Sequence, residues 1–219
     1  WPFDKFVHAR RSLGTQMKAT GEVMGIARTF EAALMKAIRC LEQNMYDLTD
    51  KELDGLSDYD VSERVHAVDD RRMFAVAEAL RRGFAVEKLH SITKIDRWFL
   101  GKLSSIIAVE KRLAKEPMTK ELLYRAKEFG FLDETVSKFS GIGAEKIRAL
   151  EDQWNIHPVY KMVDTCAAEF DAETPYYYST YGTQNESVPL SNRKKILVIG
   201  SGPIRIGQGI EFDFCSVHC

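Results

Sequence analysis

Apolar residues recur at helical spacing through the middle of this chain and gather into strand-like runs only towards its end. "TFEAALMKAIRCLEQN" sets Phe30, Leu34, Ala37, Ile38 and Leu41 on one helical face, with Thr29 in the place of an N-cap. "DRRMFAVAEALRRG" carries a stripe of Met73, Val76, Ala77 and Leu80 and stops at Gly83, the residue type that closes helices in a left-handed conformation. "KIDRWFLGKLSSIIAVEKRLAKE" is longer, with Ile95, Phe99, Leu103, Ile106 and Leu113 in phase, and ends before Pro117. "MTKELLYRAKEFG" places Leu122, Leu123, Ala126 and Phe129, again ahead of a glycine. "LDETVSKFSG" and "GAEKIRALEDQW", the latter with Ile147, Leu150 and Trp154, complete the series. The acidic, turn-rich "MYDLTDKELDGLSDYD" between the first of these helices and the rest predicts a loop or boundary from Met45 to Asp60.

The pattern predicts roughly four to six short helices between about residues 45 and 155, which is a compact all-α domain. After Pro158 the texture changes. "PYYYSTY" favours an extended segment, "GTQNESVPLSNRKK" has no apolar period and reads as a linker, and "ILVIG" has the character of a buried, parallel-type strand. The expected fold class is therefore mainly α: a compact multi-helix domain, a short extended segment, and a C-terminal strand plus Gly-rich loop opening a truncated α/β domain. Trp1 is not an initiator methionine and Cys219 falls inside a pattern that ought to continue, so both ends are expected to be cut.

Charge narrows the partners. Lys plus Arg number 31 against 32 for Asp plus Glu, so no basic field draws in nucleic acid. Cys40, Cys166, Cys215 and Cys219 form no CxxC pair and the histidines complete no zinc spacing, so reduced thiols, no metal site and a cytoplasmic location are expected. No apolar run approaches the roughly 18 residues of a membrane span.

Four stretches invite chemistry. In "ILVIGSGPIRIGQGIEF", Gly200, Gly202, Gly207 and Gly209 free backbone amides for an anion, but Arg205 stands where the dinucleotide fingerprint wants glycine and no Gly-Lys-Ser/Thr follows. "FSGIGAEKIRAL" is similar to the helix-hairpin-helix element that grips DNA phosphates, although any tight helix–helix turn uses the same residues. "HPVYKMVDTCAAEF" puts His157, Asp164 and Cys166 close in sequence, where a nucleophilic triad would need specific spatial geometry. "DRWF" and "YYYSTY" offer rings for stacking, or for a core or interface.

Taken together, "FDKF", "TQMKATGEVMGI", "TKIDRWFL", "HPVYKMVDTCAAEF", "YYYSTY" and "GPIRIGQGIEFDFCSVH", in that order, resemble the large chain of the carbamoyl-phosphate synthetase family. The resemblance covers essentially the whole chain. It implies that residues 1–40 are the end of a first, carboxyphosphate-forming ATP-grasp half, 41–187 a helical oligomerisation domain, and 188–219 a linker and the start of a second, carbamate-phosphorylating half. The implied parent reaction converts two ATP, bicarbonate and glutamine-derived ammonia to carbamoyl phosphate for arginine or pyrimidine synthesis. ATP and Mg or Mn would be cofactors of the parent and not of this stretch, and a glutaminase small subunit its partner. No catalytic residue is expected here. By resemblance, Arg205, Gly209 and Glu211 match positions lining the tunnel that carries carbamate. The alternatives are a helix-hairpin-helix nucleic-acid binder or a small nucleotide-binding module.

Overall fold

The computed structural model describes residues 3, 5, 6, 8–19, 22–41, 43–171, 173–188, 191, 193–200, 214, 216, 218 and 219. Eight helices and one small sheet are formed among them: α1 (Phe30–Arg39), α2 (Asp58–His66), α3 (Arg72–Arg81), α4 (Val86–Thr93), α5 (Arg97–Lys115), α6 (Lys120–Glu128), α7 (Asp133–Ser140), α8 (Ala144–Trp154), then β1 (Val159–Met162) and β2 (Tyr177–Thr180).

α5, at 19 residues, is the axis of the bundle. It buries Leu100, Leu103, Ile106, Ile107, Val109 and Leu113 and packs against α1, α3, α4, α6 and α7. α3 supplies the opposite wall with Phe74, Ala75, Val76, Ala77, Ala79 and Leu80, where the alanines let neighbouring backbones come close. Met35 and Ile38 bring α1 into the same core.

Local signals account for the helix ends. Thr29 accepts from the Ala32 amide and Thr119 from the Leu122 amide, as N-caps do. α6 closes through Gly130 at φ 85°, which lets the Phe131 amide return to the Ala126 carbonyl and the Phe131 ring drop into the core. The span 45–155 holds seven helices, more than the pattern predicts. α2 starts inside the stretch read as a loop, because Ser57 and Asp60 form a reciprocal capping box. Only Val61 and Val65 of α2 are buried, and only Leu89 and Thr93 of α4, so neither helix shows a period in its sequence. In α5 the stripe also differs in phase: Leu100 is fully buried while Phe99 is 44% exposed.

Beyond the bundle, β1 and β2 pair antiparallel with Val159 opposite Thr180 and Met162 opposite Tyr177. This hairpin is fastened to α1 by the Lys36 ammonium, which donates to the Ser179 carbonyl at 2.5 Å. The "ILVIG" run, expected as a buried strand, forms none among the described residues: Ile196, Leu197 and Ile199 are almost fully exposed and the run pairs with neither β1 nor β2. Farther on, Phe214, Ser216 and His218 have helical backbone.

Candidate association surface

Two capped helix starts meet on one side of the bundle. Asp96 accepts from the Trp98 amide at 2.7 Å, which begins α5 at Arg97 and places Trp98 and Phe99 in its first turn. Thr29 does the same for α1 and places Phe30 at its first position. The three rings then close on one another: Phe30 lies 5.3 Å from Trp98 and 5.4 Å from Phe99, and Trp98 lies 5.0 Å from Phe99 in an edge-to-face arrangement at 89°. Trp98 nevertheless remains 53% exposed.

Electrostatics fixes the floor and rim of this cluster. The Lys102 ammonium sits 5.2 Å from the Trp98 ring centroid and 3.3 Å from Glu31, a buried carboxylate whose other oxygen has no hydrogen-bond partner among the described residues. Arg97 pairs with Glu87 at 2.9 Å at the edge, where solvent screens the interaction. Removing the cap, as in Asp96→Ala, is expected to cost about 1 kcal/mol. A lower urea midpoint at unchanged slope would register it.

An exposed aromatic cluster with a charged rim has the anatomy of a protein-binding surface. The "DRWF" rings thus lie at a surface and not in the core. "YYYSTY" supplies β2, as an extended segment should.

Other sequence candidates fall differently. His157, Asp164 and Cys166 do not assemble a triad: both Asp164 oxygens are taken by backbone amides, one from Cys166 and one from Ala168, each at 2.8 Å. The "FSGIGAEKI" turn does join α7 to α8, with Gly141 left-handed at φ 71°. Arg148 of α8 is already engaged by Asp133 and Glu134 at 2.9 and 3.0 Å. Arg205, Gly209 and Glu211 lie outside the described residues.

Among the described residues no group of three or more His, Cys, Asp or Glu could hold a metal ion. Nor is any helix among them long and apolar enough to cross a membrane.

One group that the sequence reading missed is Lys127, which is 5% exposed and held between Asp133 at 2.5 Å and Glu151 at 2.9 Å. Burial works against its ammonium, but hydrogen bonds to the two carboxylates more than offset this and hold its pKa above the ordinary value. A buried lysine carries no period, so only the fold brings its partners together.

Comparison with known proteins places these observations. The family model of the carbamoyl-phosphate synthetase large chain, oligomerisation domain, matches residues 22–155, and that of the carbamoyl phosphate synthase preATP-grasp domain matches residues 192–219. Carbamoyl phosphate synthase large chains are similar throughout: 54% identical over 219 residues in Lachnoclostridium phytofermentans, 53% over 218 in Agathobacter rectalis and 49% over 217 in a Thermoanaerobacter species. These matches cover 99–100% of the chain but 20% of each relative, so the chain spans about one fifth of their length.

Proposed function

The chain belongs to the carbamoyl-phosphate synthetase large-chain family, and from that premise we propose that it is a self-associating, non-catalytic connector within a glutamine-dependent synthetase. The observation that carries this reading is the Phe30–Trp98–Phe99 cluster, in which Trp98 and Phe99 are exposed and Phe30 is half-buried, within the span matched by the oligomerisation-domain model. Three preorganised rings offer a hot-spot anchor at little cost in side-chain entropy.

In the proposed parent, residues 1–40 end a carboxyphosphate-forming half, 41–187 form the connector, and 188–219 open the half that phosphorylates carbamate. The parent makes carbamoyl phosphate from two ATP, bicarbonate and ammonia released from glutamine by a small subunit, in the cytoplasm, for arginine or pyrimidine synthesis. ATP and its metal bind elsewhere in that chain. Arg205, Gly209 and Glu211 border the passage for carbamate, where a glycine keeps the bore open and the charged pair guides an anion. Carboxyphosphate and carbamate hydrolyse in water, so such a reaction needs its two halves held in fixed relation and its intermediates enclosed.

Sedimentation at tens of micromolar tests the association. Trp98→Asp is expected to weaken self-association at least about thirtyfold, because losing a hot-spot aromatic costs about 2 kcal/mol or more. Tyr59→Ser, at an exposed ring on α2, should leave it unchanged. A strictly monomeric parent chain, or undiminished association of Trp98→Asp with native helical content, would overturn the reading.

A further inference from the structure

On the face of α1 that looks towards the hairpin, Lys36 and Arg39 are neighbours one helical turn apart and both are half-buried. Like charges at that spacing repel. Neither has an ion-pair partner among the described residues. Lys36 donates to the carbonyls of Ile26 at 2.7 Å and Ser179 at 2.5 Å, and Arg39 donates to the carbonyl of Gly130 at 2.7 Å through one terminal nitrogen. Lys127 and Arg81 take carboxylates, whereas the part-buried Arg72 and Lys111, like Lys36 and Arg39, donate to backbone carbonyls. What sets Lys36 and Arg39 apart is that both line one cleft of about 250 Å³ between α1, the α6–α7 link and the hairpin, which Tyr160 and Tyr181 also line.

The cleft is not electrically compensated from its own walls. Lys127 borders it but is satisfied by Asp133 and Glu151, and the wall carboxylate Glu128 is held by Arg125 at 2.6 Å. Burial lowers the pKa of both Lys36 and Arg39, and no carboxylate counters it in either case. What would relieve the repulsion is an anion. The remaining guanidinium donors of Arg39 present the planar fork that suits an oxyanion, and Lys36 adds a compact charge beside it. The space is ample for a phosphoryl group and for a few carbon atoms attached to it.

We propose that the cleft between α1 and the hairpin is a binding site for a phosphate oxyanion, with Lys36 and Arg39 as its ligands. The anion is either free inorganic phosphate or the phosphoryl group of a small phosphomonoester. It joins α1, Gly130 and β2 at a single point, so its binding tightens the hairpin against the bundle. This goes beyond the self-association reading and depends on a different surface, so either can fail alone.

The test is a ³¹P NMR and thermal-unfolding titration with inorganic phosphate, glycerol 3-phosphate and, at matched ionic strength, chloride. Phosphate is expected to give saturable line broadening and a rise in Tm that chloride does not reproduce. Arg39→Met should weaken it at least about tenfold, as expected for loss of hydrogen bonds to a charged group. Arg39→Lys should fall between. Lys111→Met, which removes another lysine-to-carbonyl bond on α5, should leave phosphate binding intact and thereby controls for general loosening. Tighter binding of glycerol 3-phosphate than of phosphate identifies the phosphomonoester as the source, and equal or weaker binding identifies free phosphate. A response to phosphate no larger than to chloride, or one unchanged in Arg39→Met with native helicity, overturns the site.

Discussion

Arg81→Met is expected to destabilise the bundle by about 3–5 kcal/mol at neutral pH, the cost of leaving a buried charge unpaired. Arg81 donates to Glu110 at 2.8 Å and to Glu78 at 2.6 Å, and also reaches the Leu48 carbonyl at 3.3 Å. Glu110 is 2% exposed on the central helix; Arg81 bonds one of its oxygens, and the other has no hydrogen-bond partner among the described residues. Burial already pushes its pKa up in spite of Arg81. Without the guanidinium the pKa rises further. A carboxyl raised in the folded state contributes its stability fully below the unfolded pKa and loses it as pH rises through the folded pKa. The deficit of Arg81→Met should therefore be largest at neutral pH and shrink as the solution is acidified. Glu78 adds in the same direction: burial opposes it, but Arg82 and Arg81 hold its pKa below the ordinary value, a stabilisation that is present above the unfolded pKa and lost in acid. Urea unfolding at several pH values checks this. Adding Glu110→Leu to Arg81→Met should recover most of the loss, since an apolar pair of similar volume replaces a buried ion pair at little cost. A deficit that is flat with pH would refute the assignment.

Gly25→Val is the second large effect. A Cβ at position 25 would overlap the Ala33 carbonyl oxygen and lie 3.0 Å from the Ala37 backbone nitrogen, so the segment before α1 rests directly on the α1 backbone. Backbone atoms of a packed helix cannot step aside as a side-chain tip can, and overpacking of this kind costs about 1–3 kcal/mol or more. The strain has a local outlet, because the preceding segment carries little buried apolar surface of its own. The expected result is a segment before α1 that is cut by protease far faster than in the parent chain, while the circular dichroism of α2–α8 is kept. Equal protection in both would show that this segment does not dock at Gly25.

These two sites also mark where sequence reading works and where it stops. α3, α5 and α6 were legible because each carries at least four buried residues in phase and ends at a glycine or ahead of a proline. α2 and α4 bury two residues apiece, too few to make a period, and their existence depends on what packs over them. The run "RWFL" hides which of its rings faces inward. Only the packing of Leu100 against the bundle turns Trp98 and Phe99 outward. The association cluster was half visible for the same reason: the two rings of α5 are adjacent in sequence, but Phe30 joins them from a distant helix. Pairing across such distances has no spacing to betray it. The same holds for Lys36, whose partner carbonyl belongs to Ser179, and for Arg81 and Glu110.

The bond from Lys36 to Ser179 has a topological meaning as well. It ties the first helix of the bundle to the last strand that leaves it, so the path through α2–α8 begins and ends at nearly the same place. A domain whose two ends are neighbours can be spliced into a longer polypeptide as a cassette, adding its bulk sideways without prising apart whatever precedes and follows it. Insertions within the α2–α8 excursion would enlarge the cassette but leave the spacing of the flanking segments untouched. Cutting the Lys36 tether would alter that spacing without touching a single core residue.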